Sequence, residues 1–441
     1  MEKQATLTTS DTSQKDMTRA EQAGLTQEEW NAAIKFDSTD WGWIIMSIGM
    51  AIGAGIVFLP VQVGIVGIWV FLLSSVIGYP VMYAFQRLFI NTLASSPKCE
   101  AYADVISGYL GKNAGFFLGV MYFLMIILCV FMYSTAITND SASFLYTFGV
   151  TDTILSKNPI YGLAIICVLV ALASRGEKIL FKISTGMVLT KLFAIAVLGC
   201  VMIPHWSLAN IGSFPNLKYL IQETIAILPI TLTSILFIQS LSPMVISYRS
   251  HNKSIEVAWY KALRSMNIAF GILFVTVFFY AISFNLAMGH EQAVMAAKQN
   301  ISSLAMAAQG LDGNTLKILS FTLNIFAIMT AFFGIFMGFQ EACRGIAMNV
   351  LRRIMPEERI NKKAVAIGTI IFAILVSWGA NVLNAPILKM LTFLGPIIGI
   401  IGCLMPAYLV YQVPFLHQYK GFWLICIILT GFLLIISPFI S

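Results

Sequence analysis

The chain has 441 residues, of which 58% are hydrophobic and 11% charged, against roughly a quarter charged in a soluble domain. Its formal charge is +7, but a chain this apolar lacks the polar surface of a soluble enzyme or a nucleic-acid binder. Its apolar residues form long runs such as Trp69–Tyr83 and do not alternate with polar ones, which excludes a porin-type barrel as well.

Residues 1–40 are polar, with neither an apolar core nor a cleavage site, and are expected to form a cytoplasmic tail rather than a signal peptide. Within them Thr26-Gln27-Glu28-Glu29 reads as a capping box. It opens a short amphipathic helix carrying Trp30, Ala33, Ile34 and Phe36, which is expected to lie on the membrane surface. Eleven apolar segments follow, near 41–62, 65–91, 114–139, 159–174, 181–204, 220–248, 262–288, 315–346, 364–380, 385–411 and 420–440. Each suits a membrane-crossing helix, so the predicted fold class is an all-α membrane protein. Most of the 27 basic residues fall in the tail and in alternate connections, notably 249–264 and 344–363. This is the positive-inside pattern; it predicts a cytoplasmic N-terminus and a C-terminus on the other side. The seven cysteines stand singly, and His205, His251, His290 and His417 are far apart. Neither a metal site nor a disulfide framework is indicated. No bound cofactor is expected.

Two segments carry features that spanning does not require. In the first, Gly49, Gly53 and Gly55 fall at mid-membrane. Gly49 and Gly53 have the spacing of close helix packing. Gly55, two residues from Gly53, lies on another face, and an unwound turn at 52–55 accounts for the pair. Such a turn exposes backbone N–H groups at a helix N-terminus, where an anion binds. In the sixth segment Phe237-Ile238-Gln239-Ser240-Leu241-Ser242-Pro243 places polar residues and a proline at mid-stretch, and the break is expected there. The two breaks stand five helices apart, an odd number, so equivalent helices run oppositely. That is the pattern of an inverted five-plus-five repeat, 41–204 and 220–411, with 420–440 as an addition; paired breaks at the midplane mark a secondary transporter's site. In the fifth segment Lys191 lies roughly 15 and 20 Å from the two ends, a depth at which an ammonium persists for a functional reason.

The run Ala51-Ile52-Gly53-Ala54-Gly55-Ile56-Val57-Phe58-Leu59-Pro60 resembles the first-helix signature of permeases of the amino acid–polyamine–organocation superfamily. Tyr133-Ser134-Thr135-Ala136-Ile137-Thr138-Asn139, Ser242-Pro243 and Gln299-Asn300-Ile301-Ser302 narrow the resemblance to the hydroxy and aromatic amino acid permease family, in its serine and threonine branch. From about Lys35 onward nearly the whole chain takes part. The resemblance implies a leucine-transporter-like fold, eleven helices in a bacterial inner membrane and proton-coupled amino acid import, with D- and L-serine among the substrates.

The expected assignments follow. Backbone N–H groups of Gly53, Ala54 and Gly55 hold the substrate carboxylate, and carbonyls of Ile52, Ile238 and Gln239 accept from its ammonium. Ser134, Thr135, Thr138, Asn139, Ser240 and Ser242 offer hydroxyl and amide partners to a substrate hydroxyl, and a pocket so built rejects analogues lacking one. In sodium-driven members of the superfamily an ion bridges the first-helix break and helix eight. Here Thr330 stands at that level of helix eight with no carboxylate beside it, and Lys191 is expected to reach it as the proton-carrying group. The predicted function is a serine–proton symporter working as a monomer in the lipid bilayer. A channel lacks its continuous polar stripe, and an enzyme lacks convergent titratable groups. An aromatic amino acid symporter or a non-transporting sensor remains the alternative.

Overall fold

The computed structural model describes residues 19–96, 102–173, 177–252, 254–310, 314–354 and 359–440. The tail before Arg19, together with Lys98, Cys99, Arg175 and Lys253, lies outside the described residues. Among the described residues every regular element is helical.

The Thr26 capping box forms. Its hydroxyl accepts from the Glu29 N–H, and the Glu29 carboxylate accepts from the Thr26 N–H, opening α1 (Gln27–Ala33). Trp30 is fully buried edge-on to Tyr260, beside Val257. The helix therefore docks on protein through this indole, for which Tyr260 and Val257 supply the apolar surface.

Asp37 caps α2 (Ser38–Ala51), and α3 (Ala54–Val66) continues it after a bend of 44°. Gly67, at φ 99°, turns the chain into α4 (Ile68–Ala94). There follow α5 (Tyr102–Leu110), α6 (Lys112–Thr147), α7 (Pro159–Ala173) and α8 (Glu177–Val201). The second half holds α9 (Leu217–Thr233), α10 (Ile238–His251), α11 (Ile255–Gln299), α12 (Ser303–Gly310), α13 (Asn314–Ile354) and α14 (Lys362–Val382). Last come α15 (Ile387–Ile398), a π-helical turn at Gly399–Leu404, α16 (Met405–Gln412) and α17 (Phe422–Ile436). Nine helices of the described residues are long and apolar enough to cross a membrane, ten when α2 and α3 count as one span; Pro159–Leu172 is a shorter apolar helix.

The second break is not where the sequence placed it. The chain leaves the helix at Ser234–Phe237, and Ile238–Pro243 belongs to α10. Pro243 sits in the second turn of α10, so it deprives only the Gln239 carbonyl of its donor. The end of α9 is undone by its own side chains: Thr233 Oγ1 donates to the Pro229 and Ile230 carbonyls and Ser234 Oγ to that of Thr231, local bonds that compete with helix continuation.

In the packing, α3 lies along α11, α13 runs between α6 and α8, and α9 lies against α4. The two broken helices thus meet inside a surround of unbroken ones. α11 outruns its expected segment because Gly289, at φ 75°, lets it kink and continue to Gln299.

Candidate functional site

At the first break Ile52 (φ −72°, ψ 90°) and Gly53 (φ −148°, ψ −151°) are extended. Gly53 begins α3 with no side-chain cap, and the first N–H groups of any helix have no intrahelical acceptor. The two breaks touch: a Cβ added at Gly55 would lie 2.9 Å from the Thr233 carbonyl oxygen and 3.0 Å from Ser234 Cα. One added at Gly53 would lie 2.5 Å from the Tyr133 hydroxyl and 3.2 Å from the Ala331 Cβ. Gly49 instead faces the Val188 side chain of α8, the packing role its spacing suggested.

Below this contact, toward the face that bears α1, lies a cavity of about 320 Å³. Gly49 and Gly55, Tyr133 of α6, Thr233 and Gln239 on either side of the second break and Thr330 of α13 line it. Beyond the contact, toward the opposite face, residues 300–303 close the bundle: Ser303 Oγ donates to the Val57 carbonyl at 2.7 Å.

Lys191 is fully buried. Its Nζ donates to Thr330 Oγ1 at 2.6 Å, to the Ile52 carbonyl at 3.1 Å and to the Gly49 carbonyl at 3.3 Å. The Thr330 hydroxyl in turn donates to the Phe326 and Ala327 carbonyls, which leaves its lone pairs for the lysine. Gly49 and Ile52 end α2, where the helix dipole favours a cation. The donor at that end is the chain's own amine, so the Ile52 carbonyl, expected to face a substrate ammonium, is already engaged.

The side-chain set is dispersed. Ser240 Oγ is bonded to Ser47 Oγ at 2.9 Å and to the Phe237 carbonyl at 2.8 Å, stapling α10 to α2. Thr135 donates to the Ala380 carbonyl; Thr138 donates to that of Ser134 and accepts from Asn381 Nδ2. Asn139 Nδ2 donates to the Asn300 carbonyl and to Asn384 Oδ1, and it lines a second cavity at the face opposite α1. None of these four lies on the central cavity. Ser134 and Ser242 carry buried hydroxyl oxygens with no partner. Ile238 opens α10, with its neighbour Gln239 on the cavity wall.

Three residues escaped the sequence reading. Tyr133 belongs to the helix-three motif, and its place in the site comes from its hydroxyl standing against Gly53. Ser47 differs in nothing but depth from any other membrane serine. Asp140 stands one residue past the expected apolar segment 114–139; α6 continues to Thr147, and Asp140 is fully buried.

No protein-family model matches the chain. It is 65% identical to the "Probable serine transporter" of Escherichia coli (strain K12), over 96% of each chain. It is 27% identical to the "Serine transporter SdaC" of the same strain, over 87% of this chain and 90% of that one. The "Threonine/serine transporter TdcC" of Edwardsiella piscicida is 24% identical over the same shares. Among solved structures, a manganese transporter of Eremococcus coleocola superposes with a TM-score of 0.53 at 14% identity, over 93% of this chain and 87% of that one. That likeness is one of fold.

Proposed function

We propose, from the premise that this chain belongs to the bacterial serine transporter family, that it imports serine, with threonine as a second substrate, by proton symport and alternating access. The observation that carries the reading is the meeting of two broken helices at Gly55 and Thr233–Ser234, at the head of a cavity. Paired breaks are how transporters bind a dipolar solute at mid-membrane: the uncapped start of α3 attracts the carboxylate, and the carbonyls freed near Thr233 and by Pro243 attract the ammonium.

Counting Pro159–Leu172 as a span gives eleven crossings, the first ten as two inverted halves. With the basic connections cytoplasmic, α1 lies inside, in the cytoplasm of a bacterial cell, and the central cavity opens inward. Lys191 carries the coupling proton. As an ammonium it has three donors, and Gly49, Ile52 and Thr330 present three acceptors. The neutral amine has one donor fewer and no charge. Its proton loss therefore loosens the end of α2 from α8 and α13, and release of substrate accompanies release of the proton.

The test is accumulation of labelled L-serine in sodium-free proteoliposomes under an inward proton gradient, for wild type and Lys191→Ala, with D-serine, L-threonine, alanine and tryptophan as competitors. The expected result is gradient-driven accumulation in the wild type alone, inhibited by serine and threonine. A strict sodium requirement, full accumulation by Lys191→Ala, or preference for alanine or tryptophan overturns the reading.

A further inference from the structure

Lys191 is not the only ionisable side chain locked in the bundle. Asp140 of α6 is fully buried, and its carboxylate accepts from the Ser302 N–H at 2.9 Å and from Asn324 Nδ2 at 2.7 Å. Both donors are neutral. The elements packed on this part of α6 bring Tyr161 from α7, Tyr280 from α11 (through Ser303), Gln309 from α12, and Asn381 and Asn384 from α14 and the turn after it. The lysines these neighbours carry do not pair with it: among the described residues the ion pairs are those of Asp37 and Asp40. Lys157, Lys298 and Lys389 are exposed, and Lys317 is half-buried two turns from Asn324. A carboxylate taken out of water with no cation beside it carries a large desolvation penalty, which a proton removes.

The surroundings are built for both protonation states. Asn324 also has a buried carbonyl oxygen with no donor; turning its amide over presents that oxygen to Asp140, and a protonated carboxyl supplies the O–H. The ionised form instead gathers the two N–H donors seen here, in charge-assisted bonds about twice as strong as neutral ones. One of those donors belongs to the segment that closes the bundle opposite α1. Ser302 precedes α12, Ser303 is bonded to Val57 and Tyr280, and Asn300 bonds to Asn384, to the Ala385 carbonyl and to the Ile387 N–H. Asp140 is the only carboxylate holding that segment among the described residues.

We propose that Asp140 is the outer proton-binding site of the transport cycle, and that loss of its proton fastens residues 300–303 over the loaded site. The proposal rests on the proton-symport reading. While the outer path is open, a proton from outside neutralises Asp140 and frees the Ser302 N–H. On closure the carboxyl O–H bond breaks, leaving the carboxylate seen here, and an N–H bond forms on the neutral amine of Lys191. One proton enters per serine. Both groups bond to α13, at Asn324 and Thr330, roughly 9 Å apart along its axis.

The purified full chain in proteoliposomes tests this, with the membrane potential clamped. One proton per serine sets a limit of about tenfold accumulation per unit of pH difference. Wild type is expected to approach that limit. Asp140→Asn is expected to accumulate no serine above the outside concentration while still exchanging labelled for unlabelled serine, and Asp140→Glu to recover accumulation. Asn324→Leu, which removes one donor from the carboxylate, is expected to move half-maximal accumulation to higher outside pH. An Asp140→Asn variant that accumulates as wild type does overturns the proposal. Should that variant show no exchange, Asp140→Glu without accumulation together with an Asn324→Leu profile at the wild-type pH overturns it equally. A wild type that accumulates nothing overturns the symport reading itself, whereas the other outcomes leave that reading standing.

Discussion

Gly55 gives the sharpest test of the claim that the two breaks form one site. A Cβ there would meet the Thr233 carbonyl oxygen at 2.9 Å, with the Thr233 carbonyl carbon and Ser234 Cα at 3.0 Å. All three are backbone atoms, and no rotamer change relieves them. Comfortable contact begins near 3.5 Å, so Gly55→Ala must part the broken helices by roughly half an ångström. Overpacking of this kind costs about 1–3 kcal/mol. Wherever that cost falls on the ligand-bound state, serine binding weakens roughly five- to hundredfold, since about 1.4 kcal/mol is a factor of ten. Gly199→Ala of α8 is the control, because its Cβ meets the Phe279 side chain of α11 at 2.7 Å, away from the central cavity. Calorimetric titration of serine into both purified variants, with thermal melts alongside, separates the effects. Both variants should melt lower than wild type, and only Gly55→Ala should lose affinity. Wild-type affinity in Gly55→Ala, or equal losses in both, would refute the reasoning.

At the other glycine, Gly53→Ala drives a methyl to 2.5 Å from the Tyr133 hydroxyl. It should abolish uptake, and Tyr133→Phe in the same chain, by removing that oxygen, should restore part of it. Ser240→Ala breaks the bonds to Ser47 and Phe237 and should lower stability by about 1 kcal/mol. Because that hydroxyl is committed to helix packing, the ratio of serine to alanine uptake should not change. Near the α1 face, the hydrogen bond from Lys261 holds the Asp37 carboxyl down at about 2. A depressed carboxyl stabilises the fold above its unfolded value near 3.9 and stops doing so as pH falls toward 2. The melting difference between wild type and Asp37→Asn should therefore be present at pH 7 and shrink below about pH 4. It should stay under about 1 kcal/mol, because the Asp37 side chain is 47% exposed and solvent screens the pair.

Much of this molecule is written along the chain. An apolar run of roughly 20 residues must satisfy its backbone within one helix once water is gone, so the segments, the α1 capping box and the turn at Ile52–Gly53 are local facts, legible from periodicity, caps and glycines. The depth of Lys191 is local too, since it follows from counting along one helix. What the chain could not state is which groups meet across helices. The hydroxyls of Thr135, Thr138 and Ser240 look alike in sequence, and their packing spends them on neighbouring carbonyls and side chains rather than on the central cavity. The second break moved back to Ser234–Phe237 because hydroxyl-to-carbonyl bonds at the end of α9 outweigh one missing donor at Pro243. Asp140 lies just past an apolar run, and only the continuation of α6 to Thr147 and the packing of the 300–303 segment bury it. Hydrophobic patterning fixes where helices run, because burial is non-directional. Hydrogen bonds between them are directional and short, and only the tertiary arrangement decides which donor reaches which acceptor.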